Sequence, residues 1–175
     1  EGQDISHTEY ELLRAIHSDA AFNVFGDLKQ NITPWRGLTQ WEPFDNYFEL
    51  DVNYRNTNEI VSFVAGNLSV KMQPIGMTGS EVEHIPLKRV AAWFRGKQGL
   101  KAVIVREEDL PLFEKRGFGR LSAQGASKTR INVMTVFESK GLEFSAVAVL
   151  DKGMTEHEKY IAYTRALRDL AVIDC

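Results

Sequence analysis

Only one of the 175 residues, Cys175, is a cysteine. A single thiol cannot build a disulfide framework or a multi-cysteine zinc site, and a reducing, cytoplasmic compartment suits it best. No run approaches the roughly 20 consecutive apolar residues of a membrane helix, so no membrane is implied. The polar start Glu1-Gly2-Gln3-Asp4 has nothing of a signal peptide. A phosphate loop of the form G-x-x-x-x-G-K-[ST] is missing as well, since Gly96-Lys97 lacks both the upstream glycine and the following hydroxyl. His7, His17, His84 and His157 show no metal-ligand spacing, and no G-x-S-x-G elbow occurs. These absences exclude a simple hydrolase and a metalloenzyme, and predict no metal site. Proline and glycine are sparse, and no repeat or low-complexity tract interrupts the chain, which excludes fibrous and disordered classes.

What remains is a globular composition, with 43% apolar and 26% charged residues. The formal net charge of −3 argues against a free-standing, non-specific nucleic-acid binder, but it averages over blocks. Residues 1–83 carry 5 Lys/Arg against 13 Asp/Glu, residues 84–130 carry 11 against 4, and residues 131–175 carry 5 against 7. The basic middle is either a solvated surface or a face turned to an anion or partner.

Ser6 and Glu9 have capping-box spacing, and the apolar periodicity behind them predicts a helix over residues 7–18. The apolar runs at residues 21–25 and 47–50 predict strands, joined by a long loop containing Pro34, Gly37 and Pro43. Thr57 can cap a helix carrying Ile60, Val61 and Val64. Beyond it the pattern predicts strands at 82–87, 102–105, 131–134, 146–150 and 170–173, and helices at 90–94, 107–116 and 156–168. Strands alternating with helices imply βαβ units and a three-layer α/β fold on a mostly parallel sheet.

Four short segments carry the chemistry. They are Gly26-Asp27-Leu28-Lys29-Gln30 with Trp35-Arg36-Gly37; Asn53-Tyr54-Arg55; Thr135 with Ser139-Lys140-Gly141-Leu142-Glu143-Phe144; and Tyr163-Thr164-Arg165-Ala166. Each is expected to end a strand or begin a helix, where open α/β sheets place their ligands. In this order they resemble motifs III to VI of the UvrD/Rep/PcrA-like superfamily 1 DNA helicases, and Glu1-Gly2-Gln3-Asp4 resembles the tail of that family's motif II. Singly each motif is weak; their order spans nearly the whole chain. The resemblance implies a RecA-like fold in two pieces, residues 1–48 as the end of a first motor domain and 49–175 as a second. Only about 80 residues separate Arg55 from Thr135, so the accessory subdomain usual there is expected to be absent or minimal.

The resemblance also implies roles. Arg55 and Arg165 match the two arginine fingers, a fitting residue type because a planar, permanent cation suits the spreading charge of phosphoryl transfer. From the residues alone, Arg55 could equally pair with Glu59, and Arg165 could be a helix surface charge. Tyr54 matches the aromatic that stacks on adenine, or is a core tyrosine. Gln30 matches a γ-phosphate sensor and Gly141 a point of close backbone approach. Glu143 matches a ribose-binding acid, or pairs with Lys140. Glu1 aligns with the general base, while the aspartate that would precede it and hold magnesium is not in the chain. Trp35, Arg36 and Thr135 match contacts to single-stranded DNA, with a loop-anchoring role open for Trp35.

The implied cofactors are ATP and Mg2+, with most magnesium ligands on an N-terminal motor lobe outside these residues; the start reads as a cut, and this polypeptide alone is expected to be inactive. Two positions depart from the family pattern: Thr33 stands where a tyrosine is usual, and Phe137 where a histidine is usual. Together with the short spacing they fit the helicase IV/HelD-like branch, some members of which act on RNA polymerase, and so imply an alternative role in remodelling a protein complex.

Overall fold

The computed structural model describes residues 1–33, 35–41, 46–122 and 125–174. Pro34 and Pro43 of the expected loop, and Cys175, lie outside the described residues. The chain divides into two compact units, Glu1–Leu50 and Asp51–Cys175.

In the first unit, helix α1 (His7–Ile16) starts as its spacing predicts: Ser6 Oγ accepts from the Glu9 N–H, and the Glu9 carboxylate accepts from the Ser6 N–H at 2.7 Å. The unit is held by a few buried polar contacts. The Tyr10 hydroxyl donates to the Gly2 carbonyl at 3.2 Å, and fully buried Gln3 accepts from the Asp27 N–H at 3.0 Å. Gly26 fits because a Cβ there would stand 2.5 Å from Gln3 Oε1. The segments at 21–25 and 47–50 are not strands. They belong to no ladder among the described residues, and Phe25, Phe48 and Leu50 stand 81%, 88% and 93% exposed. An apolar run becomes a strand only where another backbone satisfies its amides.

The second unit follows the βαβ pattern. Strand β1 (Val52–Asn53) leads to helix α2 (Asn58–Asn67) and strand β2 (Gln73–Pro74), which pairs back in parallel with β1. Thr57 occupies the N-cap of α2, but its hydroxyl makes no capping bond. Next come β3 (Glu83–Pro86), α3 (Val90–Trp93), β4 (Lys101–Val105), α4 (Leu110–Glu114), β5 (Gly119–Arg120), β6 (Asn132–Thr135), α5 (Val136–Ser139), β7 (Phe144–Val149), α6 (Glu156–Thr164) and β8 (Ala166–Asp174).

Six of these strands form one sheet in the order β3-β8-β7-β4-β6-β5, with every pairing parallel. The stretches 102–105 of β4 and 146–149 of β7 are uninterrupted apolar runs because both faces are covered. On one face α3 and α4 lay Val90, Phe94, Leu110 and Phe113 against Val103, Val105, Val133, Ala146 and Ala148. The alternate residues Ile104, Val147 and Val149, also fully buried, face the layer of α2, α5 and α6. The edges are short strands of four and two residues, which limits edge-to-edge pairing. Sequence periodicity placed a helix over 156–168, but α6 ends at Thr164 and β8 starts at Ala166, with Arg165 the sole joint.

Candidate functional site

The turn carrying Tyr54 and Arg55 is built by two asparagines. Asn53 Oδ1 accepts from the Arg55 N–H at 2.9 Å and the Asn56 N–H at 2.8 Å, and Asn53 Nδ2 donates to Asn56 Oδ1. Asparagine favours such turns because its side chain can take the place of a backbone acceptor. Buried Asn56 then donates from Nδ2 to the carbonyls of Thr164 and Ala166, at 3.1 and 2.5 Å. One side chain thus fastens the Tyr54-Arg55 turn to the joint between α6 and β8.

Arg165 lies at that joint, 2% exposed, in a helical backbone conformation. Its Nε donates to the Ile161 carbonyl at 3.2 Å, and one terminal nitrogen reaches the Leu142 carbonyl at 3.4 Å. The burial rules out a helix surface charge. Leu142 lies between Gly141, whose φ of +76° requires glycine, and Glu143. A Cβ at Gly141 would meet no atom within 4 Å, so its constraint is the backbone turn and not crowding. Glu143 Oε1 accepts from Arg55 Nε at 2.9 Å, with both side chains nearly half exposed. Arg55 therefore pairs with Glu143 rather than Glu59, whose carboxylate accepts the Gly79 N–H and is held below the usual carboxylate range first by its own backbone N–H and then by that of Gly79. Tyr54 is 73% exposed beside this pair, which excludes a core tyrosine.

The Asn56 bonds, the Arg55–Glu143 pair and the Arg165–Leu142 contact thus bring the Tyr54-Arg55 turn, the 141–143 turn and Arg165 together. An exposed ring, a half-exposed guanidinium and a carboxylate are groups able to meet a base, a phosphate and a hydroxyl. An exposed ion pair is worth about 0–1 kcal/mol, so an incoming phosphate can displace Glu143 from Arg55 at small cost. Among the described residues no group of three His, Cys, Asp or Glu could hold a metal ion.

Thr135 is placed apart from these residues. It ends β6 and caps α5, its hydroxyl accepting the Glu138 N–H at 3.2 Å while Glu138 Oε2 accepts the Thr135 N–H at 2.8 Å. All strands run parallel, so Thr135 sits at the carboxyl ends of the sheet, whereas Glu143 and Arg165 precede β7 and β8 at the amino ends. The expectation that every segment ends a strand or begins a helix is corrected for these two: Glu143 and Arg165 each lead into a strand.

Arg120 on β5 holds Glu138 from the far side at 3.0 Å. Burial pushes the Glu138 carboxyl up, but the Thr135 N–H, Arg120 and the Thr135 hydroxyl together outweigh it and hold the group below its ordinary value. A depressed carboxyl stabilises the fold above its unfolded pKa, and that contribution is lost as pH falls through the folded one. Glu138→Gln should therefore flatten the decline in urea midpoint between about pH 5 and 3, by roughly 1 kcal/mol or less for a partly screened group; an unchanged acid limb would refute this.

In the first unit, Gln30 Nε2 donates to Asp27 Oδ2 at 3.0 Å, and the Glu1 carboxylate accepts from Gln3 Nε2. Trp35 is 83% exposed, so it does not anchor the loop through burial. Arg36 pairs with Glu9 at 3.1 Å. That carboxylate is lowered by the Ser6 N–H, the Ser6 hydroxyl and Arg36.

Sequence reasoning missed Asn56 and Glu138. The first was legible as an asparagine three residues after Asn53, the second as the T-x-x-E spacing of a capping box.

A six-stranded all-parallel sheet with helices on both faces defines a three-layer α/β domain of RecA-like fold. Among solved structures the chain is similar to the C-terminal domain of a possible DNA helicase from Lactobacillus plantarum WCFS1, at TM-score 0.53 and 21% identity over 69% of this chain and 86% of that one. Lower similarity extends to the helicase of PRRSV (TM-score 0.43, 17% identity, 73% of this chain) and to an arterivirus nonstructural protein 10 helicase in complex with DNA (0.43, 18%, 71%). The chain spans about a quarter of each viral protein, 23% and 25%. No protein-family model and no curated protein sequence matches it.

Proposed function

We propose that this chain is the C-terminal portion of an ATP-dependent DNA helicase or translocase of the UvrD/Rep/PcrA kind, supplying arginine fingers and parts of the ATP and single-stranded DNA sites. The observation that carries the reading is the convergence of Tyr54, Arg55, Glu143 and Arg165, residues up to 111 positions apart, on one turn fastened by Asn56. ATP with Mg2+ supplies the phosphoryl chemistry when bound. Arg55 and Arg165 hold positive charge where phosphate oxygens gain negative charge, Tyr54 stacks on the base, Glu143 accepts a ribose hydroxyl once released from Arg55, and Gly141 lets the backbone approach. In the first unit Gln30 reports the γ-phosphate, Glu1 is the general base, and Trp35 and Arg36 contact single-stranded DNA; in the second unit Thr135 contacts phosphate of a single strand. The phosphate loop comes from a motor lobe outside these residues.

A second reading, an ATP-switched factor that remodels a protein complex such as RNA polymerase, draws on Thr135 and Phe137: the Thr135 hydroxyl is occupied by Glu138, and the neighbouring Phe137 ring is 66% exposed. ATPase activity, measured with the phosphate-loop lobe present, tests the two. Stimulation by single-stranded DNA supports the motor; a basal rate indifferent to DNA rejects it in favour of the remodelling factor.

A further inference from the structure

Five cations crowd the amino ends of three neighbouring strands. Arg95 lies in the turn into β4, Lys115 and Arg116 in the turn into β5, and Lys128 and Arg130 in the segment entering β6; all five are exposed. In the sheet order β4, β6 and β5 are adjacent and parallel, so the three turns line one edge across about 10 Å of strand spacing. Arg130 also leans over the start of β5, its Cδ 3.5 Å from where a Gly119 side chain would begin.

Of the acids between residues 107 and 138, all but Asp109 are already in ion pairs. Glu114, Glu107 and Glu138 surround Arg120, Glu108 pairs with Arg106, and Asp169 pairs with Lys97 at 2.8 Å. Among the described residues none of the five cations is in an ion pair, and Arg116 donates only to the Leu112 carbonyl. Helix C-termini favour cations, but α3 and α4 have four and five residues, too short for a dipole to explain five charges.

We propose that this edge binds the phosphate backbone of double-stranded nucleic acid, a contact separate from the strand-binding residues of the proposed function. Two observations choose the occupant. Single strands are held by bases stacked on exposed aromatics beside the cations, and protein interfaces centre on large apolar anchors. Between Met77 and Phe137 no described large apolar side chain is exposed: Phe118 is buried, and Trp93 lies under Lys97, whose nitrogen is 4.3 Å from the ring centre. Charge without stacking or apolar anchors suits a duplex, whose bases are closed and whose phosphates are the accessible chemistry.

The test is fluorescence anisotropy of the 175-residue chain with a 20-base-pair DNA duplex over a salt series, for the parent and for K115A/R116A/K128A/R130A. Affinity should fall about tenfold or more at low salt. The slope of log K against log salt should shrink by about three to four, since each phosphate contact contributes about 0.9. K128A/R130A, confined to the loop before β6, should shrink it by about two and guards against a folding defect in the larger variant. Binding of a 20-nucleotide single strand should persist in K115A/R116A/K128A/R130A, so failure of this edge and failure of the strand site are separable. The proposal is overturned by an unchanged slope in both variants, by tighter binding of a 20-nucleotide single strand that the same substitutions abolish, or by a polyglutamate peptide whose binding, unlike that of the duplex, the substitutions remove.

Discussion

On the proposed function, replacing Arg165 by alanine, with a phosphate-loop lobe present, is expected to lower kcat for ATP hydrolysis by about 10³-fold, as loss of an arginine finger does. The geometry makes this more than a lost charge. Nε and one terminal nitrogen of Arg165 donate to the carbonyls of Ile161 and Leu142, so the guanidinium is held in one orientation before any ligand arrives. Preorganised donors are the ones that stabilise a transition state without reorganisation at the moment of reaction. Steady-state kinetics at saturating ATP check the expectation. A fall in melting temperature with kcat preserved would leave Arg165 as a structural arginine and remove the finger.

Asn56→Ala is the second large effect, and it is measurable on the 175-residue chain itself. Asn56 is 1% exposed and satisfies two buried carbonyls as well as Asn53. Leaving buried polar groups without partners costs about 1–3 kcal/mol each, so the unfolding free energy should drop by roughly 2–4 kcal/mol in urea titration. Asn56→Asp should be at least as harmful, because it sets a carboxylate against the Thr164 and Ala166 carbonyls. A loss under 0.5 kcal/mol for both variants would show that the turn does not depend on this fastening.

Much of the second unit could be read from composition. The runs at 102–105 and 146–150 are uninterrupted apolar stretches because β4 and β7 are covered on both faces, and covered strands advertise themselves. The same logic misread residues 21–25 and 47–50, where apolar character is present but a pairing backbone is not. The end of α6 was hidden for another reason. Ala166, Leu170 and Ala171 continue an apolar pattern compatible with a helix, and the break after Thr164 is set by Asn56, 110 residues from Ala166 in the chain. Of the candidate site, residue identities followed from the order of the segments, while the pairing of Arg55 with Glu143 and the burial of Arg165 depend on distant backbone and could not.

The direct passage from α6 to β8 through Arg165 has a mechanical consequence. A loop between a helix and a strand would absorb small displacements; a one-residue joint has no slack. β8 lies between β3 and β7 and runs nine residues, about 30 Å, to the opposite end of the sheet. Any force that draws the Tyr54-Arg55 turn toward a ligand acts through Asn56 on the root of that strand, and the sheet must move as a stiff lever or not at all.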